Sequence, residues 1–271
     1  MFRTGKVTGL LIMVSAIVLL MFTSGCESDN TTPEGKISYM MKAKDVLGVS
    51  GIITFTQTGK DKTTIVVTLT GAPSGTHPVE FRTSTIIEGG TLIANLNPID
   101  ETGTSTTVYP LPYSSMVLYD GYIQVVESEE NPGVILAQAD IGGNLLTNFS
   151  QAYPLVAIGN FGVSGTALFE KRLNGSTVVT IDVDGLLPGK TYPATINLGS
   201  ITSVGGGPVV KILSDVNGST GKSYSNIRIL DNETGDTIRY EDWLIYDGYI
   251  NIYNDSISNS SIICHGNIGS N

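Results

Sequence analysis

The chain states one pattern twice, and that duplication constrains its fold more than any single residue. Gly48-Val49-Ser50-Gly51 returns as Gly162-Val163-Ser164-Gly165, and Tyr119-Asp120-Gly121-Tyr122-Ile123 returns as Tyr246-Asp247-Gly248-Tyr249-Ile250. Self-similarity at this scale means two structural units of one kind. The spacing between the first pair of markers is 114 residues. The same shift carries Ile65, Val67 and Leu69 onto Val179, Ile181 and Val183, each set alternating with Thr, Val or Asp. A slip of one residue would turn the wrong side chains inward, so agreement in phase predicts a shared strand.

Both strands end at a glycine, Gly71 or Gly185, and enter Ala72-Pro73-Ser74-Gly75 or Leu186-Leu187-Pro188-Gly189. Proline presets one turn angle and glycine permits positive φ at the next corner. After residue 25, no window holds apolar residues at helical spacing over three turns, while short runs of Val, Ile, Thr and Tyr alternate between Gly, Pro, Asn and Asp. This predicts an all-β chain of two antiparallel sandwich or Greek-key barrel domains. The expected divisions are residues 26–46 as a polar tether and entry segment, 47–147 as the first unit and 161–271 as the second. The connecting segment 148–160 holds Phe149, Tyr153, Leu155, Val156 and Ile158, which makes it too apolar for a free linker, and it is expected to pack as an edge strand or on a domain face.

Residues 1–25 read as an export signal. Arg3 and Lys6 precede an apolar run from Val7 to Phe22, and Thr23-Ser24-Gly25-Cys26 follows. The run is shorter than the roughly 20 residues that span hydrocarbon. The Ser-Gly-Cys ending resembles the lipobox of bacterial lipoproteins, although Thr23 stands where Leu is usual, and the resemblance implies lipidation of Cys26. An uncleaved anchor helix and ordinary cleavage leaving a free Cys26 are the alternatives, and both still export the rest. Acidic residues just after Cys26, Glu27 and Asp29, resemble a signal for the outer membrane and its outer face.

Loss of residues 1–25 removes two of 15 basic residues and none of 25 acidic ones, taking the formal charge from −10 to −12. Such a surface repels phosphate backbones and anionic headgroups, so nucleic acid is excluded as a partner and membrane contact falls to the lipid. With Cys26 acylated, Cys264 has no intramolecular disulfide partner, and stability must come from packed cores.

In order, Val49-Ser50-Gly51, Gly71-Ala72-Pro73-Ser74-Gly75-Thr76-His77-Pro78, Leu96-Asn97-Pro98, Tyr119-Asp120-Gly121-Tyr122-Ile123 and Asp140-Ile141-Gly142-Gly143-Asn144 resemble the stations of the CHRD (chordin-type) domain. The second copy matches more weakly. The resemblance implies a fold like that of copper/zinc superoxide dismutase. Laid on the dismutase pattern, however, the two copper-ligand positions hold Glu80 and Arg82 in the first copy and Thr195 and Asn197 in the second. A copper site of that kind needs several imidazoles, and after residue 25 the chain has only His77 and His265.

His77 is expected to pack on its turn and bond a backbone carbonyl. Cys264 and His265, as neighbours on a strand, point to opposite faces, so a buried thiol beside a partly exposed imidazole is expected. Asp120 with Tyr122, and Asp247 with Tyr249, are the candidate binding residues, because an exposed Asp-Tyr strand face suits a sugar or a protein loop; the competing role for the two aspartates is bonding to local backbone N–H groups. Glu127, Glu129 and Glu130, or Asp182 with Asp184, lack the spacing of a calcium loop. No nucleophile elbow, zinc-protease motif, P-loop or dinucleotide fingerprint occurs. The expectation is therefore a non-catalytic, cofactor-free, lipid-anchored envelope protein that binds an extracellular protein or glycan or serves as a structural module. A metal-dependent, dismutase-like redox enzyme is the alternative.

Overall fold

The computed structural model describes residues 35–203, 206–255, 257 and 261–271. The export signal, Cys26 and the acidic residues behind it lie outside the described residues. Within them, no helix is long and apolar enough to cross a membrane.

The first unit contains β1 (Lys36–Ala43), β2 (Ser50–Gln57), β3 (Thr63–Thr70), β4 (His77–Thr83), β5 (Leu92–Ile99), β6 (Thr104–Tyr109), the single-turn α1 (Tyr113–Met116), β7 (Asp120–Val126) and β8 (Ile135–Gly142). The second repeats the series with β9 (Leu146–Ala157), β10 (Ser164–Arg172), β11 (Thr177–Asp184), β12 (Thr191–Leu198), β13 (Val209–Asn217), β14 (Lys222–Ile227), α2 (Tyr240–Trp243), β15 (Asp247–Tyr253) and β16 (Ile262–Gly269). Hydrogen-bonded neighbours run β5-β4-β7-β8-β1-β2-β3-β6 in the first sheet, and the same order of counterparts closes into a barrel in the second. In each unit the seventh strand returns beside the fourth, which is a Greek key. Both units are barrel-like β-sheets, as the alternating pattern predicted.

The expected strand phase holds. Ile65, Val67 and Leu69 are buried in the first core, and Val179, Ile181 and Val183 in the second. Facing them are Phe55 and Phe81 in one unit and Phe169 and Trp243 in the other, all fully buried. Two repeated glycine stations also find their cause. Gly71 and Gly185 sit at φ 76° and 89°, and a Cβ there would lie 2.6 and 2.7 Å from the carbonyl oxygens of Gly48 and Gly162. Only glycine meets both demands.

Two boundaries differ from the sequence expectation. Residues 36–43 are not tether: β1 pairs with β2 and, at its end, with β8, so the first unit begins near Lys36 rather than at 47. The 148–160 segment is not a peripheral edge, because most of it is β9, which pairs with both β10 and β16 and so completes the second barrel. Gly143–Leu145 is all that separates the last strand of one unit from the first of the next. The tether reading of β1 and the edge reading of β9 share a cause: both strands precede the repeat markers that set the unit boundaries.

The barrels differ in closure. Asn217 pairs with Lys222 to join β13 to β14. No such pair joins β5 to β6, where Asp100 and Thr104 hold the places of Asn217 and Lys222. Asn97 Nδ2 donates across this gap to the Thr106 carbonyl at 2.6 Å, and its backbone N–H donates to Thr107 Oγ1 at 2.8 Å, a bond that Ser214 and Ser225 also make between β13 and β14.

Candidate binding site

The Tyr-Asp-Gly-Tyr stations are built alike in both units. Asp120 and Asp247 open β7 and β15, directly opposite Gly142 and Gly269. Those glycines have φ of 56° and 70°, and a Cβ on either would strike the Tyr119 or Tyr246 carbonyl, at 2.3 or 1.9 Å. Just beyond them, Asn144 and Asn271 fold back over the strand ends. Asn144 Nδ2 donates to the Gly121 carbonyl at 3.1 Å and to the Ser84 carbonyl. Asn271 Nδ2 donates to the Gly248 and Gly199 carbonyls at 3.1 and 3.2 Å. Asp140 Oδ1 and Asn267 Oδ1 each accept the N–H of an isoleucine in the loop after the fourth strand, Ile86 or Ile201, at 2.9 Å. The stations therefore clamp backbone at one end of each barrel.

The expected exposed Asp-Tyr face does not form. Tyr122 and Tyr249 are 3% and 4% exposed, and Tyr249 Oη accepts the Gly207 N–H at 2.8 Å. Such rings offer no surface to a ligand; strand alternation alone gave no sign that the outer side of β7 and β15 is also covered. The aspartates fare differently, and Asp120 is engaged by the other unit.

In the first unit the clamp is also the dock for the second. Asp120 accepts Arg228 Nη1 at 2.6 Å on one oxygen and Asn174 Nδ2 at 2.7 Å on the other. Asn144 Oδ1 accepts Arg228 Nη2 at 2.9 Å and Asn174 Nδ2 at 3.2 Å. Arg172, 2% exposed, donates to Asp140 Oδ2 at 2.9 Å and to the Asn144 carbonyl. Backbone bonds from Leu173 to Leu145 and from Asn174 to Gly143, both 2.9 Å, hold the β10–β11 turn against the short connection. Glu88 lies at the margin. Burial pushes its carboxyl up, but donors on Ser84 and Thr85 and the charge of Arg228 outweigh this and leave it below its ordinary value.

Sequence reasoning did not find Arg172, Asn174 and Arg228. Their signal was a difference between the copies rather than a likeness, because the counterparts in the first unit are Thr58, Lys60 and Pro110.

A second feature is an open cleft of about 970 Å³ on the first unit, between the Pro73–Pro78 turn and the β7–β8 connection. Glu80, Glu127, Glu129 and Glu130 line it together with Asn95 and His77, and no Lys or Arg does. His77 is 3% exposed, with Nδ1 2.6 Å from the Glu127 carbonyl and Nε2 2.9 Å from that of Pro73. It ties the two walls together, and neither ring nitrogen is left for a metal. This is the turn-packing role expected of it.

The residues do not fit a dismutase-type copper centre. Arg82 Nε donates to Glu80 Oε2 at 2.8 Å, and Gln124 Nε2 donates to the same oxygen at 2.8 Å. The counterparts Thr195 and Asn197 bond each other at 3.0 Å. Among the described residues no group of three His, Cys, Asp or Glu gathers closely enough to hold a metal ion. Cys264 is fully buried, and burial pushes its thiol up to about 11, whereas partial burial lowers the neighbouring His265. That is the buried thiol beside a partly exposed imidazole expected from strand geometry.

Comparison of the chain with protein-family models, with curated proteins and with solved structures finds no match. The functional reading rests on the geometry.

Proposed function

We propose that this chain is a non-catalytic, lipid-anchored envelope protein whose two CHRD-like barrels form a rigid module for binding an extracellular protein or glycan or for structural support. One observation carries the reading. The residues that repeat most faithfully, Tyr-Asp-Gly and the Gly-x-Asn that follows β8 and β16, are spent on clamping strand ends and, in the first unit, on docking the second. A module selected for chemistry would keep reactive groups at its repeated stations, whereas a scaffold keeps turns and joints.

The acidic cleft is the concave surface offered to a ligand. With Glu127, Glu129 and Glu130 beside a Glu80 already held by Arg82, and no Phe, Tyr or Trp in its wall, it favours a cationic protein segment over a stacked sugar. Export and anchoring rest on residues 1–26. Metabolic labelling with a fatty acid tests them: the wild-type protein takes up label and Cys26→Ala does not. Equal labelling of both, or labelling of neither, rejects the anchor.

A further inference from the structure

The end of the second barrel reproduces most of the polar surface by which the first barrel holds its neighbour. Asp247 stands where Asp120 does, Asn271 clamps the same two carbonyl positions as Asn144, and Asn267 holds the same loop N–H as Asp140. The Gly143 N–H bond to the Tyr119 carbonyl has its counterpart in Ser270 and Tyr246. What differs is occupancy. On the first barrel the carboxylate and the amide oxygen receive Arg228 and Asn174. On the second, Asp247 is exposed and holds Asn271 Nδ2 at 3.0 Å, and among the described residues it has no cationic partner.

We propose that this end of the second barrel, centred on Asp247 and Asn271, docks a further β domain that presents an arginine guanidinium just beyond a strand, as Arg228 is presented beyond β14. The chain supplies its own template for the complex. Asp120 and Asn144 show that the surface, already shaped by its clamps, takes a guanidinium across a carboxylate and an amide oxygen together. The occupant is not a second copy. The second barrel's Arg228 is engaged within the chain, and the first barrel offers Pro110 where that arginine would be needed. Asn267 in place of Asp140 also means that the partner needs one arginine rather than two. The inference deepens the binding-module reading by naming a surface and the chemistry of its partner.

A graft tests it in the full chain, with Cys26→Ala in every form so that no acyl group drives association. Pro110→Arg gives the first barrel the missing guanidinium, so that one molecule can serve as partner to the next. Sedimentation should show at least a twofold rise in mass over the Cys26→Ala parent at equal concentration. Adding Asp247→Asn should return the mass to that of the parent. Pro110→Lys is the second variant, should the arginine impair folding, and thermal melting checks each form. A folded graft with the parent's mass, or association that survives Asp247→Asn, overturns the proposal. Asp247-dependent association of the parent itself would also overturn it, by making a second copy the occupant. Failure of the graft leaves the labelling result untouched, so the two readings fall separately.

Discussion

Arg172 brings its charge to a place where water scarcely reaches, and its value to the fold depends on Asp140 and the Asn144 carbonyl being there to receive it. A buried pair broken on one side leaves an uncompensated charge, so Arg172→Ala or Asp140→Ala should cost about 3–5 kcal/mol in denaturant melts. Asp120 and Arg228 bond at a shorter distance but are about one-third exposed. Solvent screens such a pair, and Asp120→Asn should cost no more than about 1 kcal/mol. Burial, not bond length, sets the order of the two effects. Equal losses in both variants would show that the junction is not as dry at Arg172 as its exposure indicates.

At the scale of strands, the two copies share an order and differ in one closure. Asn217 and Lys222 join β13 to β14 by a ladder pair, whereas β5 and β6 have none and meet through the side chains of Asn97 and Thr107. Backbone amides along β5 and β6 should therefore exchange with deuterium faster than those along β13 and β14, as local opening there breaks fewer ladder bonds. Equal protection would contradict this. The strand phase around Ile65 and Val179 was legible because alternation has only two possible settings. The glycine stations were legible as repeats, and their reason, the close approach of Gly142 to Tyr119, needed three dimensions. Burial of Tyr122 was not legible, since alternation separates two faces without saying whether loops cover the outer one. The docking arginines were hidden for the opposite reason: attention to what the copies share passes over what one of them alone carries.

For the molecule as a whole, the junction couples the barrels. Glu88 is held below its ordinary value, so the folded chain binds its proton more weakly than the unfolded one. Its contribution is present above the unfolded value near 4.5 and is lost as the pH falls through the lower folded value. Calorimetry at neutral pH should show a single unfolding transition. Acidification below about pH 4.5 should lower its midpoint, and Glu88→Gln should flatten that slope. An unchanged slope in Glu88→Gln would remove Glu88 from the account.

The three residues from Gly143 to Leu145 leave the chain no slack between its halves. Tension applied along the polypeptide would not first straighten a spacer, because there is none to straighten. It would reach the β10–β11 turn at once and be shared by the Leu173 and Asn174 amides and the Arg172 side chain. A joint of that kind behaves as a rivet rather than a leash.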